Sequence, residues 1–450
     1  MHRPQPKWKP ELRAMVALAV PVVLSELGWM AQGVVDTIMV GRMGPVAIGA
    51  VALGNAVYYT PALFGFGLLL GLDTLVSQAY GRQDHDECHR WLAQGVYLAC
   101  IATVPLMLLV FAASFAFGHF GINSAVATPA GSYLRLLNWG TLPLLLYGGT
   151  RRYLQAVGEV RVIVVTYVFA NLLNWGGNWV LIYGHWGFPA MGVRGSALST
   201  CIARLGMAVF MLVFAWRYER KRGHPLFRRW AGPSLQRLRR LVRLGAPAAG
   251  QILLEVGAWS LATISAGWLT PVALATHQIA LNYASVSYMV PFGISSAAAV
   301  TVGQAIGAGD PEKARRAGWL ALGLGTSFMV MAAFTFFIAP GPLIRLYTSD
   351  PRVLAVGPSL LGLAAVFQIF DGIQTVSTGA LRGLGETRIP MLANFVGYWI
   401  LGLPLGLTLC FALRWGIYGL WIGLTLALVV IATALLLRWR RDSTPAAVVA

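Results

Sequence analysis

The chain has 450 residues, 57% of them hydrophobic and 11% charged, with a formal net charge of +18. Soluble globular domains carry about 25% charged residues, so this deficit excludes an ordinary soluble fold and points to a lipid environment. Four cysteines without paired spacing, Cys88, Cys100, Cys201 and Cys410, set aside a disulfide framework or a cysteine-held metal.

A basic N-terminus with Arg3, Lys7, Lys9 and Arg13 leads into an apolar run too long for a signal peptide, which reads as a retained first span. Apolar blocks separated by glycine, proline or charge predict twelve helices, at roughly 12–40, 46–78, 90–117, 128–155, 161–184, 191–217, 239–267, 272–306, 313–339, 352–382, 388–411 and 416–438. An even number places both termini on one side. With the termini inside, most of the 34 Lys and Arg fall on inside segments. These are the N-terminus, Arg82 and Arg90, Arg151, Arg152 and Arg161, the stretch from Arg217 to Arg243 with Arg228 and Arg229, Lys313 to Arg316, Arg382 and Arg388, and the tail from Arg438 to Arg441. That asymmetry places the chain in a cytoplasmic membrane with both termini in the cytoplasm. It assigns the net charge to topology and anionic lipid, and makes nucleic acid a poor partner.

The two halves repeat. Pro21 and Pro247, Pro45 and Pro271, Gly67 and Gly293, Gln78 and Gln304, Gly81 and Gly307, and Asp84 and Asp310 are each 226 residues apart. A basic loop at 218–238 separates an N-terminal lobe, 1–217, from a C-terminal lobe, 239–450. Duplicated six-helix halves are a transporter architecture with the working site near mid-membrane.

Five segments carry a resemblance: VDTIMVGRMGP at 35–45, GLDTLVSQAYG at 71–81, THQIALNYASVSYMVPFGIS at 276–295, TVGQAIGAGD at 301–310 and GALRGLGETRIP at 379–390. Together with twelve helices and the repeat they resemble the multidrug and toxic compound extrusion (MATE) family, in its NorM-like branch, over nearly the whole chain. The resemblance implies an all-α polytopic membrane protein of twelve transmembrane helices. They would form two pseudo-symmetric six-helix lobes around a central V-shaped cleft. It also implies a monomer that exports cationic drugs in exchange for Na⁺ or H⁺, with no other cofactor.

Of the 16 acids, five lie inside apolar helices: Glu26, Asp36, Asp73, Glu255 and Asp371. An acid at the centre of a span costs about 2.5–3.5 kcal/mol, so each needs polar company or a role. Asp36 matches the family's first-helix carboxylate, which couples ion to drug. Its expected company is Asn174 and Asn178, four apart on one helix face. Their oxygens suit Na⁺ and equally suit a protonated acid. Glu255 and Asp371 match the branch's acids in the seventh and tenth helices. They are expected to meet beside Gln278 and Asn282 as a proton or Na⁺ site. Asp36, Glu255 and Asp371 are therefore the candidate Na⁺ ligands.

Asp73 reads as a local cap or hydrogen-bonding group. Glu26 departs from the family's usual uncharged residue; it lies about 15 Å along the helix from Asp36 and is either a second cavity acid or the partner of Arg204. His277 reads as a hydrogen-bonded packing histidine. Tyr283 and Tyr288 are candidates for stacking on organic cations. Pro21 and Pro247 each remove a backbone hydrogen bond and are placed to permit a bend.

Three rival readings are weaker. A lipid-linked oligosaccharide flippase of the same superfamily needs an arginine-lined cavity, and only Arg204 is available at mid-membrane. A major-facilitator transporter lacks its basic signature after the second helix. An intramembrane enzyme is unsupported by any HExxH, GxSxG or GxxxxGK[ST] motif. The expected partners are small organic cations and the bilayer.

Overall fold

A computed structural model describes residues 8–117, 122–224, 226 and 230–444. Arg3, Lys7, Arg228 and Arg229, used above to orient the chain, lie outside the described residues. Twelve long helical segments follow one another: α1 (Trp8–Gly41), α2 (Pro45–Gly81), α3 (His85–Ala116), α4 (124–156), α5 (Arg161–Tyr183), α6 (Val193–Lys221), α7 (Leu235–Gly267), α8 (Pro271–Gly307), α9 (Pro311–Ile338), α10 (Pro351–Leu384), α11 (Arg388–Ala412) and α12 (Ile417–Asp442). These are the twelve expected blocks. The sequence reading missed the short helix Pro340–Arg345, whose Pro340 supplies the fixed φ that a first turn needs. It also missed the break in α2 at Leu69-Leu70 and the tight turn Asn138–Gly140 that divides α4.

Among the described residues, nine of these segments are long and apolar enough to cross a membrane. Of the other three, α4 is interrupted by the turn at Asn138–Gly140 and carries Arg135, Arg151 and Arg152, α5 carries Asn171, Asn174 and Asn178, and α7 carries Gln251 and Glu255. Large apolar side chains such as Leu108, Leu172, Phe334 and Phe337 are exposed on the helices, where lipid rather than water is their solvent.

Contacts divide the chain into two compact units, Leu24–Ala249 and Met1–Val23 with Gly250–Ala450. The boundaries fall inside α1 and α7, two residues after Pro21 and Pro247, and the helix continues through each proline. The repeat explains these positions. A Cβ on Gly67 would lie 2.5 Å from Ala249 Cα, and one on Gly293 would lie 2.4 Å from Val23 Cγ2. Both glycines allow a helix approach that no side chain permits. Ala249 and Val23 are themselves 226 apart, so one contact occurs twice, once in each unit. The start of α7 is thereby fastened to α2, and the start of α1 to α8. The helix caps repeat as well: Asp84 Oδ1 accepts from Glu87 N at 2.9 Å, and Asp310 Oδ1 from Lys313 N at 2.9 Å. Val40, Ala50, Tyr58 and Leu134 centre one core, and Ile294, Ala364, Trp421 and Leu428 the other.

Candidate functional site

Asp36 sits in the last two turns of α1, buried, on the wall of a cavity of about 760 Å³ counted with its mouth. Trp29, Gln32, Tyr59, Phe66 and Tyr167 also line it. All belong to the unit Leu24–Ala249. α5 and α6 supply the hydrogen bonds. Asn178 Nδ2 donates to Asp36 Oδ1 at 2.6 Å, and Thr200 Oγ1 donates to Oδ2 at 3.4 Å. Asn178 Nδ2 also donates to Asn174 Oδ1 at 3.3 Å, whose own amide reaches Thr200 Oγ1 at 3.4 Å. Ser199 Oγ donates to the Asn174 carbonyl at 2.8 Å and ties α6 to α5 behind this cluster.

Asp36, Asn174 and Asn178 therefore stand together, as their spacing on α5 suggested. Thr200 went unnoticed. A threonine four residues after Ser196 looks like any hydroxyl bonded to its own helix, and Thr200 does bond the Ser196 carbonyl at 3.0 Å. Among the described residues, Asn178 Oδ1 is buried without a hydrogen-bond partner. This leaves one free acceptor beside the carboxylate.

The second acidic group lies in the other unit. Glu255 on α7 and Asp371 on α10 are within electrostatic reach of one another, and Tyr288 on α8 and Tyr398 on α11 are close to both. Gln374, three residues after Asp371 and so on its face of α10, points Nε2 at Glu255 Oε2 and at Asn394 Oδ1, each at 3.5 Å. The Tyr398 hydroxyl is buried without a partner among the described residues.

Gln278 and Asn282 are not the company of these acids. Both are exposed on α8, and Gln278 lies ten residues, about 15 Å of helix, from the level marked by Tyr288. Spacing identified a shared face but carried no information on depth. Tyr283 is also displaced from the site: its hydroxyl donates to the Leu343 carbonyl at 2.8 Å, and its ring packs on Phe336 and Tyr347. His277 is the packing histidine expected, between Thr263 Oγ1 at 3.0 Å and the donating Trp421 Nε1 at 3.1 Å.

The remaining intramembrane acids are paired with arginines. Glu26 forms a buried ion pair with Arg151, which also donates to Ser25 Oγ at 3.4 Å. Its partner is thus Arg151 rather than Arg204, and it is no second cavity acid. Asp73 meets Arg152 at 3.5 Å, and the Arg152 guanidinium lies 5.6 Å from the Phe66 ring centroid. Asp73 is accordingly more than a local cap. Arg151, Arg152 and Arg382, assigned from sequence to inside segments, are buried in α4 and α10. A guanidinium near a helix end reads as a loop charge until its partner is seen. Among the described residues, no group of three or more His, Cys, Asp or Glu could hold a metal ion.

The family described as MatE matches residues 21–180 and again 247–408, two matches that start at Pro21 and Pro247 as the repeat requires. "Probable multidrug resistance protein NorM" of Mesorhizobium japonicum is 38% identical, covering 98% of this chain and 96% of its own length. "Multidrug resistance protein NorM" of Burkholderia vietnamiensis is 36% identical, covering 94% and 92%. A crystal structure of MATE in the bent conformation superposes with a TM-score of 0.88 at 19% identity, covering 97% of this chain and 98% of that one. These relatives are named as resistance and MATE proteins, not as enzymes. The chain is a multi-pass membrane protein and belongs to the MatE family.

Proposed function

We propose that this protein exports cationic, amphipathic organic compounds across the cytoplasmic membrane in exchange for H⁺ or Na⁺, with Asp36 as the group for which ion and compound compete. The observation that carries this reading is the setting of Asp36: buried on a cavity wall, hydrogen-bonded by neutral donors and in no ion pair among the described residues, with Arg204 as the cation on the same wall. A carboxylate in a low-dielectric site is costly without a positive charge beside it. H⁺, Na⁺ and an organic cation each satisfy that need, and each excludes the others. Loading one therefore ejects another. For Na⁺, the Asp36 carboxylate, Thr200 Oγ1 and the free Asn178 Oδ1 form an all-oxygen donor set of the right kind.

The energetics favour exchange. A monovalent cation leaving a cell at −100 mV works against about 2.3 kcal/mol. One ion entering cancels that charge movement, and each tenfold ion gradient then supplies about 1.4 kcal/mol. Trp29, Tyr59, Phe66 and Tyr167 present aromatic surface to a flat organic cation. Glu255 and Asp371 form a second ion site in the other unit, with Gln374 as their polar companion. The distribution of Lys and Arg supports a cytoplasmic location for both termini. One chain carries both acidic groups, which is consistent with a working monomer. The names of its NorM relatives support drugs as the cargo.

The test is ethidium accumulation in inside-out vesicles, with a pH gradient and a Na⁺ gradient imposed separately. One of the two is expected to drive accumulation at least tenfold above the ungraded rate. Accumulation that neither gradient drives would overturn exchange.

A further inference from the structure

The two halves of the chain exchange helix starts. Residues of α1 up to Val23 belong with α8–α12 in one unit, and residues of α7 up to Ala249 belong with α2–α6 in the other. Each start is held by an ion pair. Arg237, in the first turn of α7, donates to Glu87 on α3 twice, Nη1 to Oε1 at 2.6 Å and Nη2 to Oε2 at 3.1 Å. Its guanidinium lies 5.0 Å from the Trp91 ring centroid, and Arg90, one turn along α3, reaches Glu87 at 3.4 Å. Glu11, in the first turn of α1, accepts from Arg316 on α9, at 3.2 Å from Nε and 3.1 Å from Nη2.

The repeat makes these two clasps equivalent in place and opposite in polarity. Glu11 and Arg237 are 226 residues apart, as are Glu87 and Lys313, and Arg90 and Arg316. So α7 carries a cation where α1 carries an acid, and α3 carries an acid where α9 carries a lysine. Duplication gives each start a second seat, that of its counterpart, within its own half. The apolar contacts discriminate little between the seats, since each is lined by a register-matched glycine, Gly67 or Gly293. Charge does discriminate. The observed seating puts Arg237 with Glu87 and Arg90, and Glu11 with Arg316 and Lys313 one turn before it, so each seat combines one acid with two bases. The reverse seating would crowd Glu11 and Glu87 about Arg90 and gather Arg237, Lys313 and Arg316 at the other seat. Built-in repulsion of that kind rejects a wrong partner that attraction alone would tolerate.

We propose that this reversed pair of clasps decides which half each helix start joins, so that α1 crosses to the C-terminal half and α7 to the N-terminal half instead of each folding back on its own. Elements that are near copies of one another exchange places at low cost, so a duplicated chain needs such a device. A single exposed ion pair contributes little. These two are better placed: Glu87 and Glu11 are 16% and 18% exposed, and each arginine uses two nitrogens. The choice also rests on two attractive seats against two repulsive ones, not on one bond. The start of α7 has further fastening. Gln94 on α3 donates to the Gly232 carbonyl and accepts from Ser234 N, each at 2.9 Å, and Trp230 Nε1 donates to the Tyr97 hydroxyl at 3.0 Å. At the matching positions of α9 stand Leu320 and Gly323, whose side chains cannot hydrogen-bond. The start of α1 therefore depends more on its clasp.

The test reads the seating by cysteine crosslinking of the full chain in membranes. Met15 Sδ on α1 lies 3.9 Å from Thr301 Oγ1 on α8 in the observed seat. The register-matched residue of the other seat is Leu75 on α2, one turn from Gly71, whose Cβ would lie 2.8 Å from the Leu241 carbonyl of α7. M15C with T301C thus reports the observed seating and M15C with L75C the reverse, both oxidised with copper phenanthroline. With native charges the first pair is expected to crosslink at least tenfold more than the second, and equal crosslinking overturns the proposal. E11R with R237E inverts the charges of the two starts and is expected to lower that ratio at least tenfold. E11R with R316E keeps an ion pair at each seat but makes the two seats equal in charge, and is expected to lower the ratio at least threefold. A ratio within twofold of native in either charge variant overturns the proposal. Should E11R with R237E fail to fold, E11R with R316E decides alone, because it retains both ion pairs.

Discussion

Glu26 and Asp36 lie ten residues apart on one helix, and both are buried acids in a membrane-spanning segment. Glu26 faces Arg151, so the pair is neutral and closed. Asp36 accepts hydrogen bonds from Asn178 and Thr200, with Asn174 bonded to Asn178 beside them, and none of these neutral groups cancels its charge. The difference separates a structural acid from a working one. A neutralised pair has nothing left to bind, whereas a carboxylate hydrogen-bonded by neutral groups and in no ion pair still attracts a cation. Asp73 with Arg152 falls on the first side. Glu255 and Asp371, with Gln374 and two tyrosines for company, fall on the second.

That contrast can be broken at either end, and the largest effect is expected at Asp36. Asp36→Asn keeps the size and removes the charge; ion-driven ethidium transport in vesicles should fall at least a hundredfold, about 2.7 kcal/mol or more. The thermal unfolding midpoint of the purified variant should stay near that of the native protein. Arg151→Met should do the opposite. It strands the buried Glu26 carboxylate and should cost about 3–5 kcal/mol of stability, read as a lower unfolding midpoint and poorer yield. The double variant Glu26→Gln with Arg151→Met should recover most of that loss, because no unpaired charge remains. Recovery of less than a third would show that the pair contributes more than neutrality.

Smaller effects sharpen the picture. Glu255→Gln and Asp371→Asn should each reduce ion-driven transport about tenfold, near 1.4 kcal/mol, without loss of folded protein. Thr200→Val removes a long hydrogen bond to Asp36, together with the long contact from the Asn174 amide and the local bond to the Ser196 carbonyl. About 1 kcal/mol is at stake, so transport should fall roughly fivefold and no further.

Much of this arrangement was legible in the chain. Proline, glycine and charge punctuation gave the twelve helices, and the 226-residue register paired Gly67 with Gly293, which the structure then seats on Ala249 and on Val23. The asparagine pair on α5 was legible because a four-residue spacing fixes a helix face. Depth was not. Gln278 and Asn282 share a face with each other but lie well along α8 from Tyr288, and periodicity has no term for that distance. Pairing was hidden for a related reason. Arg151 and Arg152 sit near a helix end, where sequence cannot tell a charge in water from one folded back onto a buried acid. The break at Asn138–Gly140, which makes room for Arg204, carries a single glycine as its only signal.

The central claim is that one carboxyl group holds either an ion or an organic cation. The direct measurement is ion release from purified native protein in weakly buffered solution when tetraphenylphosphonium is added, followed by a pH electrode and a Na⁺ electrode. The account predicts release of about one H⁺ or one Na⁺ per molecule bound, and none from Asp36→Asn. Binding of the cation without release of either ion, and with equal affinity in Asp36→Asn, would contradict it.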